Sequence, residues 1–188
     1  TAEEDGAYVF GAQVEEKSFA TSYIPTSGAI ATRLQDKVTG AGDVNTFNST
    51  EGVLYLEGSA FADGNVNRKI TLSDGTSANR VTIFYNATNQ LRAVVRAGSV
   101  NVLSSTRNVD ITQMTKVAIK WSQDSFELWV NGVKQTSVTS GNTFPANNLN
   151  DLAFAEYNGT QPYHGKTKDL RVFNTALSDA ELTELTTI

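Results

Sequence analysis

Apolar and polar residues alternate along most of this chain, and this alternation predicts β-strands. In residues 125–130, for example, Phe126, Leu128 and Val130 share one face, because successive side chains of a strand point to opposite sides of the sheet. The same period marks residues 79–85, 90–97 and 116–122. Further strands are predicted at 51–62, 68–73, 99–104, 133–139, 151–156 and 165–173. Many short strands at close intervals are typical of an antiparallel sandwich.

Turn and cap residues divide these segments. Asn131-Gly132 predicts a tight hairpin, since both residues tolerate the positive φ of a type I′ turn. Ser178, followed three positions later by Glu181, forms a capping box, which predicts a helix beginning near Ser178. This short helix needs to dock on a sheet to persist, through Leu177, Leu182 and Leu185. The fold class is therefore predicted to be all-β, a two-sheet antiparallel jelly-roll sandwich with one short C-terminal helix.

The composition narrows the functions open to such a fold. The chain has 188 residues, which suits one domain with a substantial core. It has no cysteine, so disulfides, thiolate metal sites and thiol catalysis are excluded. Its formal net charge is -5, whereas a general binder of nucleic-acid phosphates needs a basic patch. No apolar run approaches the ~20 residues of a membrane span. We therefore expect neither nucleic-acid binding nor membrane insertion.

Five segments, taken in order, resemble a family of bacteriophage tail and virion proteins. They are FATSYIPTSGAIATR (19–33), NSTEGVLYLE (48–57), ITLSDGTSANRVTI (70–83), TKVAIKWSQDSFELWVNG (115–132) and HGKTKDLRVFNTALSDAELTELT (164–186). In that family the first segment looks like a linker, and a concanavalin A-like, laminin-G-like domain follows it. The resemblance implies a jelly-roll fold, a virion or extracellular location, and other virion subunits as partners. It implies no particular activity, because one sandwich fold hosts many functions.

The resemblance also bears on domain organisation. It implies that residues 1–28 are an N-terminal segment and linker and that residues 29–188 are the jelly-roll domain. The stretch YVFGAQVEE (8–16) resembles the end of a preceding domain in such proteins. The alternative is that these residues form an edge strand of the jelly roll itself.

Enzymes of this fold carry motifs that the chain lacks. Glycanases of the fold use paired carboxylates in a Glu-x-Asp-x-x-Glu pattern, which is absent here. Adjacent acids such as Glu15 and Glu16 point to opposite faces if extended, so they are interpreted as solvated charges. Jelly-roll lyases need a His and a Tyr around the uronate, but Tyr163 and His164, the only histidine, are neighbours whose side chains diverge in a strand. We therefore predict that the chain is not an enzyme, and we keep glycan degradation as a third alternative.

Calcium is the cofactor that related folds suggest. Laminin-G-like and pentraxin-like relatives often hold Ca²⁺ at a loop rim through oxygen ligands. Asp74, Asn79, Asp151 and Glu156 are candidates, but none belongs to an Asp-x-Asp-x-Asp loop, and turn capping explains the Asp and Asn side chains better. We therefore predict no cofactor, and we expect Arg80 to pair with Asp74 across its loop.

The alternation that fills the core also sends a second set of side chains outward. With Phe126 and Leu128 inside, the alternate positions of the strands face away from the core. This outward set is Phe84, Arg92, Arg96, Lys120, Glu127 and Trp129. If these strands share a sheet, Trp129 offers a stacking platform for a sugar ring, and the surrounding cations favour an acidic polysaccharide. The alternative is an aromatic pair covered by a loop or a neighbouring subunit.

A second candidate site is the loop of residues 157–164. Loops at the ends of sandwiches commonly carry recognition, and Tyr157, Tyr163 and His164 are suitable sugar contacts. The alternative is a solvent-exposed connection with Tyr163 turned inward.

These observations predict a non-catalytic carbohydrate-binding module for host recognition, within a phage tail or virion protein. The alternative is a structural or decorating virion domain without a ligand. A binding module leaves Trp129 or the 157–164 loop exposed, whereas a packing domain buries them under another chain.

Overall fold

The computed structural model of the protein describes residues 11–14, 23–31, 41–61, 66–86 and 90–188. The chain divides into two compact units, Thr1–Asp36 and Lys37–Ile188. The described residues of the first unit contain no helix or strand. The stretch 8–16, for which an edge strand is one of two alternatives, lies mostly outside the described residues, and the domain boundary near residue 28 stays a prediction.

The described residues of the second unit form two antiparallel sheets and one helix. The elements are β1 (Gly52–Ala60), β2 (Arg68–Ser73), β3 (Arg80–Tyr85), β4 (Gln90–Ala97), β5 (Val100–Asn108), β6 (Thr115–Ser122), β7 (Ser125–Val130), β8 (Val133–Val138), β9 (Asp151–Ala153), β10 (Gly165–Phe173) and α1 (Asp179–Thr186). The first sheet has the strand order β10-β1-β6-β7-β8, and the second sheet has the order β5-β4-β3-β2-β9. The predicted jelly-roll sandwich with one short C-terminal helix is confirmed.

The main core lies between the sheets and consists of the residues that the alternation places inward. Phe126 and Leu128 of the first sheet are fully buried there, as are Ile83 and Leu91 of the second sheet. Trp121 belongs to the same core, and its indole N–H donates a hydrogen bond to a backbone carbonyl at 3.1 Å. Removing this apolar surface from water is the dominant favourable contribution to folding.

The turn between β7 and β8 forms as predicted. Asn131 and Gly132 have φ angles of 49° and 79°, the left-handed values that a type I′ hairpin requires. The turn fixes the register of β7 on β8, and therefore the face to which each β7 side chain points.

The C-terminal helix also begins where the capping box predicts. The Ser178 side chain accepts a hydrogen bond from the Glu181 N–H, and the Glu181 carboxylate accepts one from the Ser178 N–H at 2.8 Å. Leu182 is fully buried against the outer face of the first sheet, and Leu177 and Leu185 pack beside it. Within the described part of the chain, no helix has the length and apolar character needed to cross a membrane.

Candidate functional site

The C-terminal helix covers the outer face of the first sheet at the position of Trp129. The Trp129 side chain is only 4% exposed, and it packs with Tyr55 and Leu182 in a small apolar cluster. The prediction of an open stacking platform at Trp129 is therefore wrong. The physical reason is that a helix this short is stable only when it is docked, and α1 docks on β6, β7 and β8.

Glu127 lies beneath the same helix in a network of charges. Its carboxylate accepts hydrogen bonds from Trp129 Nε1 at 2.8 Å and from Lys134 Nζ at 3.1 Å, and Lys120 Nζ is 3.7 Å away. Lys134 also donates to Asp179 Oδ2 at 2.7 Å. The hydrogen bond to Asp179 and the nearby Glu127 raise the pKa of Lys134. Glu127, which the sequence assigns to a sugar site, thus helps to link the sheet to the first turn of α1.

The outward residues predicted to form one patch lie on two different sheets. Lys120, Glu127 and Trp129 belong to β6 and β7 of the first sheet. The other members, on β3 and β4 of the second sheet, are Phe84, Arg92 and Arg96. The prediction that these residues form a single patch is therefore wrong. Alternation tells which side of its own strand a residue occupies, but each sheet of a sandwich has an outer face, and the period is the same in both.

Three cross-strand rows of side chains occupy the outer face of the second sheet, which we call the arginine face. The backbone register defines the rows as Arg92–Phe84–Lys69, Val94–Thr82–Thr71 and Arg96–Arg80–Ser73. The short side chains of the middle row are buried and form a floor, while the arginines and Lys69 around them are partly exposed. The helix docks on the opposite sheet, so these long charged side chains remain in reach of solvent.

Two arginines stand opposite each other in the third row. Arg80 and Arg96 are register partners on β3 and β4, a position in which like charges destabilise a sheet. Arg80 is partly compensated, because its Nε lies 3.7 Å from Glu156 Oε1 and its guanidinium donates to the Ser77 carbonyl. The Arg96 side chain makes no hydrogen bond or ion pair with any residue that the structure describes. This uncompensated positive charge favours an anion.

Phe84 lies between two cations of the first row. The Lys69 Nζ is 4.9 Å from the centroid of its ring, and the central guanidinium carbon of Arg92 is 5.4 Å from it. These are cation–π distances. Arg92 also donates to Ser104 Oγ at 3.1 Å. Phe84 is only 7% exposed, so it orients the cations of the arginine face and offers little surface for a sugar to stack on.

Several buried polar atoms on the arginine face have no hydrogen-bond partner within the described ranges. They are Thr71 Oγ1, Thr82 Oγ1, Arg92 Nε, Arg96 Nε and Glu156 Oε1. Buried polar groups are nearly always hydrogen-bonded, and each one left unsatisfied costs about 1–3 kcal/mol. These atoms are closed to solvent, so they form a polar floor beneath the partly exposed cations of the arginine face.

Residues of the 157–164 loop go to three different places. The Tyr157 ring centroid lies 5.6 Å from the Arg80 guanidinium carbon, at the margin of the arginine face. Tyr163 turns inward, where its hydroxyl donates to the Ser59 carbonyl at 2.9 Å, and burial raises its pKa to about 12. His164 lines a separate pocket of about 420 Å³ together with Val66, Asn67, Gln161 and Pro162. Of the three predicted sugar contacts, Tyr157 is the one beside the arginine face.

The acidic and amide side chains considered for calcium have other roles. Asp74 accepts hydrogen bonds from the Thr76 N–H at 2.9 Å and from Asn79 Nδ2 at 2.8 Å. Burial raises the pKa of Asp74, but these hydrogen bonds lower it overall. The expected Arg80–Asp74 pair is wrong, because Arg80 lies beside Glu156 instead. The described residues contain no group of three or more His, Asp and Glu side chains that could hold a metal ion.

Several members of the arginine face were not among the predicted site residues. Alternation within residues 68–73 does mark Lys69 and Thr71 as outward, and Thr82 follows from the same pattern on β3. Threonine and lysine are common on the outer faces of strands, so these residue types alone do not indicate a binding site. Glu156 reaches the face from the loop after β9, and no periodic pattern predicts that.

Comparison with known proteins agrees with this architecture. The model of the concanavalin A-like lectin/glucanases superfamily matches residues 59–183. No curated protein matches the chain in sequence. The CBM40 of the Ruminococcus gnavus IT-sialidase, bound to α2,3 sialyllactose, is 15% identical with a TM-score of 0.59, and the match covers 79% of this chain and 93% of that one.

Two further solved structures have the same fold. The leech intramolecular trans-sialidase is 18% identical with a TM-score of 0.61 over 74% of this chain, and the chain spans only 24% of that enzyme. A SAP-like pentraxin from Limulus polyphemus is 11% identical with a TM-score of 0.56, over 78% of this chain and 72% of the pentraxin. At these identities the similarities show the fold alone.

Proposed function

This chain belongs to the concanavalin A-like lectin/glucanases superfamily, and we propose that it is a glycan-binding module whose site is the arginine face. The observation that carries the proposal is the cross-strand pair of Arg80 and Arg96 on that face, in which the Arg96 side chain has no hydrogen bond or ion pair with the described residues. Sugar hydroxyls both donate and accept hydrogen bonds. The partly exposed guanidinium groups of Arg92 and Arg96 can therefore donate to the hydroxyl and carboxylate oxygens of one glycan.

The charges of the face favour an acidic glycan. Arg80 and Arg96 are cross-strand partners, and a planar guanidinium suits bidentate contact with a carboxylate. An anion bound between them also relieves the repulsion of two like charges. The Ruminococcus gnavus module of the same fold was solved with α2,3 sialyllactose, a ligand with one carboxylate, and this supports the proposal.

We propose that the module binds glycan without cleaving it. Glycoside hydrolysis uses two carboxyl groups that flank the scissile bond. On this side of the second sheet, Asp151 lies on the edge strand β9, and Glu156 is engaged by Lys69 and Arg80. Engaged in this way, Glu156 is poorly placed to act as an acid or a nucleophile. This supports a binding role.

The setting that the resemblance implies remains part of the proposal. A domain of a phage tail or other virion protein works outside the cell, alongside other virion subunits. An acidic cell-surface polysaccharide is then the natural partner for a basic face on an acidic chain.

Arg96→Gln tests the site directly. We expect the isolated domain to bind carboxylated oligosaccharides and to bind their neutral counterparts much more weakly. Arg96→Gln removes a charge-assisted hydrogen bond worth about 1.5–3 kcal/mol, which corresponds to a loss of roughly 10- to 100-fold in affinity. Binding also weakens with added salt, because the contacts are ionic and partly exposed. Isothermal titration calorimetry with a panel of acidic and neutral glycans measures all three effects.

The matched control is Arg171→Gln. Arg171 is an exposed strand arginine on the first sheet that pairs with Asp169, so its loss changes the net charge equally but leaves the arginine face intact. Equal losses of glycan affinity in Arg96→Gln and Arg171→Gln indicate a non-specific charge effect and contradict the proposed site. No binding across a diverse glycan panel favours the alternative of a structural domain that packs against other subunits.

A further inference from the structure

We infer that Glu156 restricts the arginine face to glycan units with a single anionic group, because its carboxylate already occupies the place of a second anion. The inference rests on the proposed function, since it concerns which glycans that face accepts. It makes Glu156 a specificity-determining residue and excludes polysulfated chains as preferred ligands.

Glu156 is fixed in place by both its side chain and its backbone. The side chain is 8% exposed, and one carboxylate oxygen accepts a hydrogen bond from Lys69 Nζ. The other oxygen lies 3.7 Å from Arg80 Nε. The Glu156 N–H donates to the Thr160 carbonyl at 2.8 Å, which closes the loop that carries it. These contacts hold the carboxylate in position on the β2 and β3 side of the arginine face.

This carboxylate divides the arginine face into two parts of different charge. On the side of β2 and β3, Glu156 neutralises Lys69 and partly compensates Arg80. On the side of β4, no acid within the described ranges pairs with Arg92 or Arg96. The free positive charge is thus confined to one side, and the other side presents a neutral ion pair.

A glycan with one carboxylate and several hydroxyls matches that division. Its anion lies against Arg96, and its hydroxyls lie beside the neutral Lys69–Glu156 pair. A second sulfate or carboxylate that reached Lys69 would have to lie beside the Glu156 carboxylate. Like charges at such separations repel strongly where water is partly excluded, and burying a charge without a partner is costly.

The test compares two probes on the wild type and on Glu156→Gln. The probes are α2,3-sialyllactose, with one carboxylate, and a heparin tetrasaccharide, which is polysulfated. We expect the wild type to bind sialyllactose more tightly than the tetrasaccharide. In Glu156→Gln, Lys69 loses its counter-ion, so affinity for the tetrasaccharide rises about tenfold, the scale of one added charge-assisted contact. Affinity for sialyllactose changes much less.

Glu57→Gln is the matched control. Glu57 pairs with Lys168 on the first sheet, where Lys168 Nζ donates to Glu57 Oε1 at 2.8 Å. This variant has the same charge change away from the arginine face and should keep the wild-type selectivity. An equal rise in heparin affinity in both variants overturns the inference, and so does an unchanged affinity in Glu156→Gln.

The wild type alone provides a second test that does not depend on the folding of any variant. Tighter binding of the heparin tetrasaccharide than of sialyllactose by the wild type overturns the selectivity but leaves glycan binding in place. Binding of neither probe contradicts the proposed function itself, and the inference with it.

Discussion

Replacing Trp129 decides which of the two outer sheet faces has a functional role. Trp129 packs under α1 with Tyr55 and Leu182, and the arginine face lies on the other sheet. We therefore expect Trp129→Ala to destabilise the fold and to leave glycan affinity unchanged at temperatures where the variant is folded.

The size of the effect follows from the contacts that are lost. The Trp129 side chain is 4% exposed, and truncating a buried tryptophan to alanine costs about 3–5 kcal/mol. Trp129→Phe keeps much of the apolar contact but removes the 2.8 Å hydrogen bond to Glu127. A hydrogen bond to a charged group contributes about 1.5–3 kcal/mol, so the Phe variant should lie between alanine and wild type. For a domain of this size, each kcal/mol lowers the Tm by roughly 2–4 °C.

Chemical denaturation followed by circular dichroism gives the free energy of unfolding of the three proteins. Calorimetric titration with sialyllactose, below the onset of unfolding, gives their affinities. A cost of less than about 1 kcal/mol for Trp129→Ala would show that the helix does not seal this residue, since that is far below the range for a buried tryptophan. If Trp129→Ala lost glycan binding but kept its stability, the sugar site would lie on the first sheet. That result would refute the argument for the arginine face.

Three further predictions concern stability. Phe126→Ala should cost about 3–5 kcal/mol, because Phe126 is fully buried between the sheets, and equal stability of the two proteins in urea would contradict that position. Ser178→Ala should cost about 1 kcal/mol, because it removes the N-cap of α1; a loss as large as that of Phe126→Ala would be inconsistent with a local cap. Burial raises the pKa of Tyr163 to about 12, so the neutral phenol stabilises the fold fully below its unfolded pKa of about 10, and this contribution falls as the pH rises towards 12. Unfolding free energies between those two pH values should fall less steeply in Tyr163→Phe than in the wild type.

Individual strands could be predicted closely because their signal is local. Residues 90–97 and 125–130 were predicted as strands, and β4 and β7 occupy the same residues. The capping box placed the start of α1 correctly because its two hydrogen bonds join residues three apart in sequence. The inward face of β7 was also correct, since Phe126 and Leu128 lie in the core. Each of these inferences needed only neighbouring residues.

The site could be predicted only in part, because its members are joined by contacts between distant segments. The alternation of β4 predicts that Arg92 and Arg96 point outward. Their partner Arg80 comes from β3, and Glu156 comes from a loop many residues later. The sequence predicts a pair between Arg80 and Asp74, which are close in sequence. In the tertiary structure Arg80 lies beside Glu156, which is more distant in sequence. Electrostatic pairing follows distance in space, and sequence separation is a poor guide to that distance across a sandwich.

By itself, therefore, the sequence determined the all-β class, most strand positions, the inward faces of β3, β4, β6 and β7, and the capped helix. These features depend on side-chain period and on local hydrogen bonds. Only the tertiary structure decided which strands share a sheet and which outer face α1 covers. The strands with Trp129 and those with Arg96 have the same period of two, but docking of α1 buries the first set and leaves the second in reach of solvent. A short helix gains its stability from the surface on which it packs, and that surface exists only once the sheets have formed.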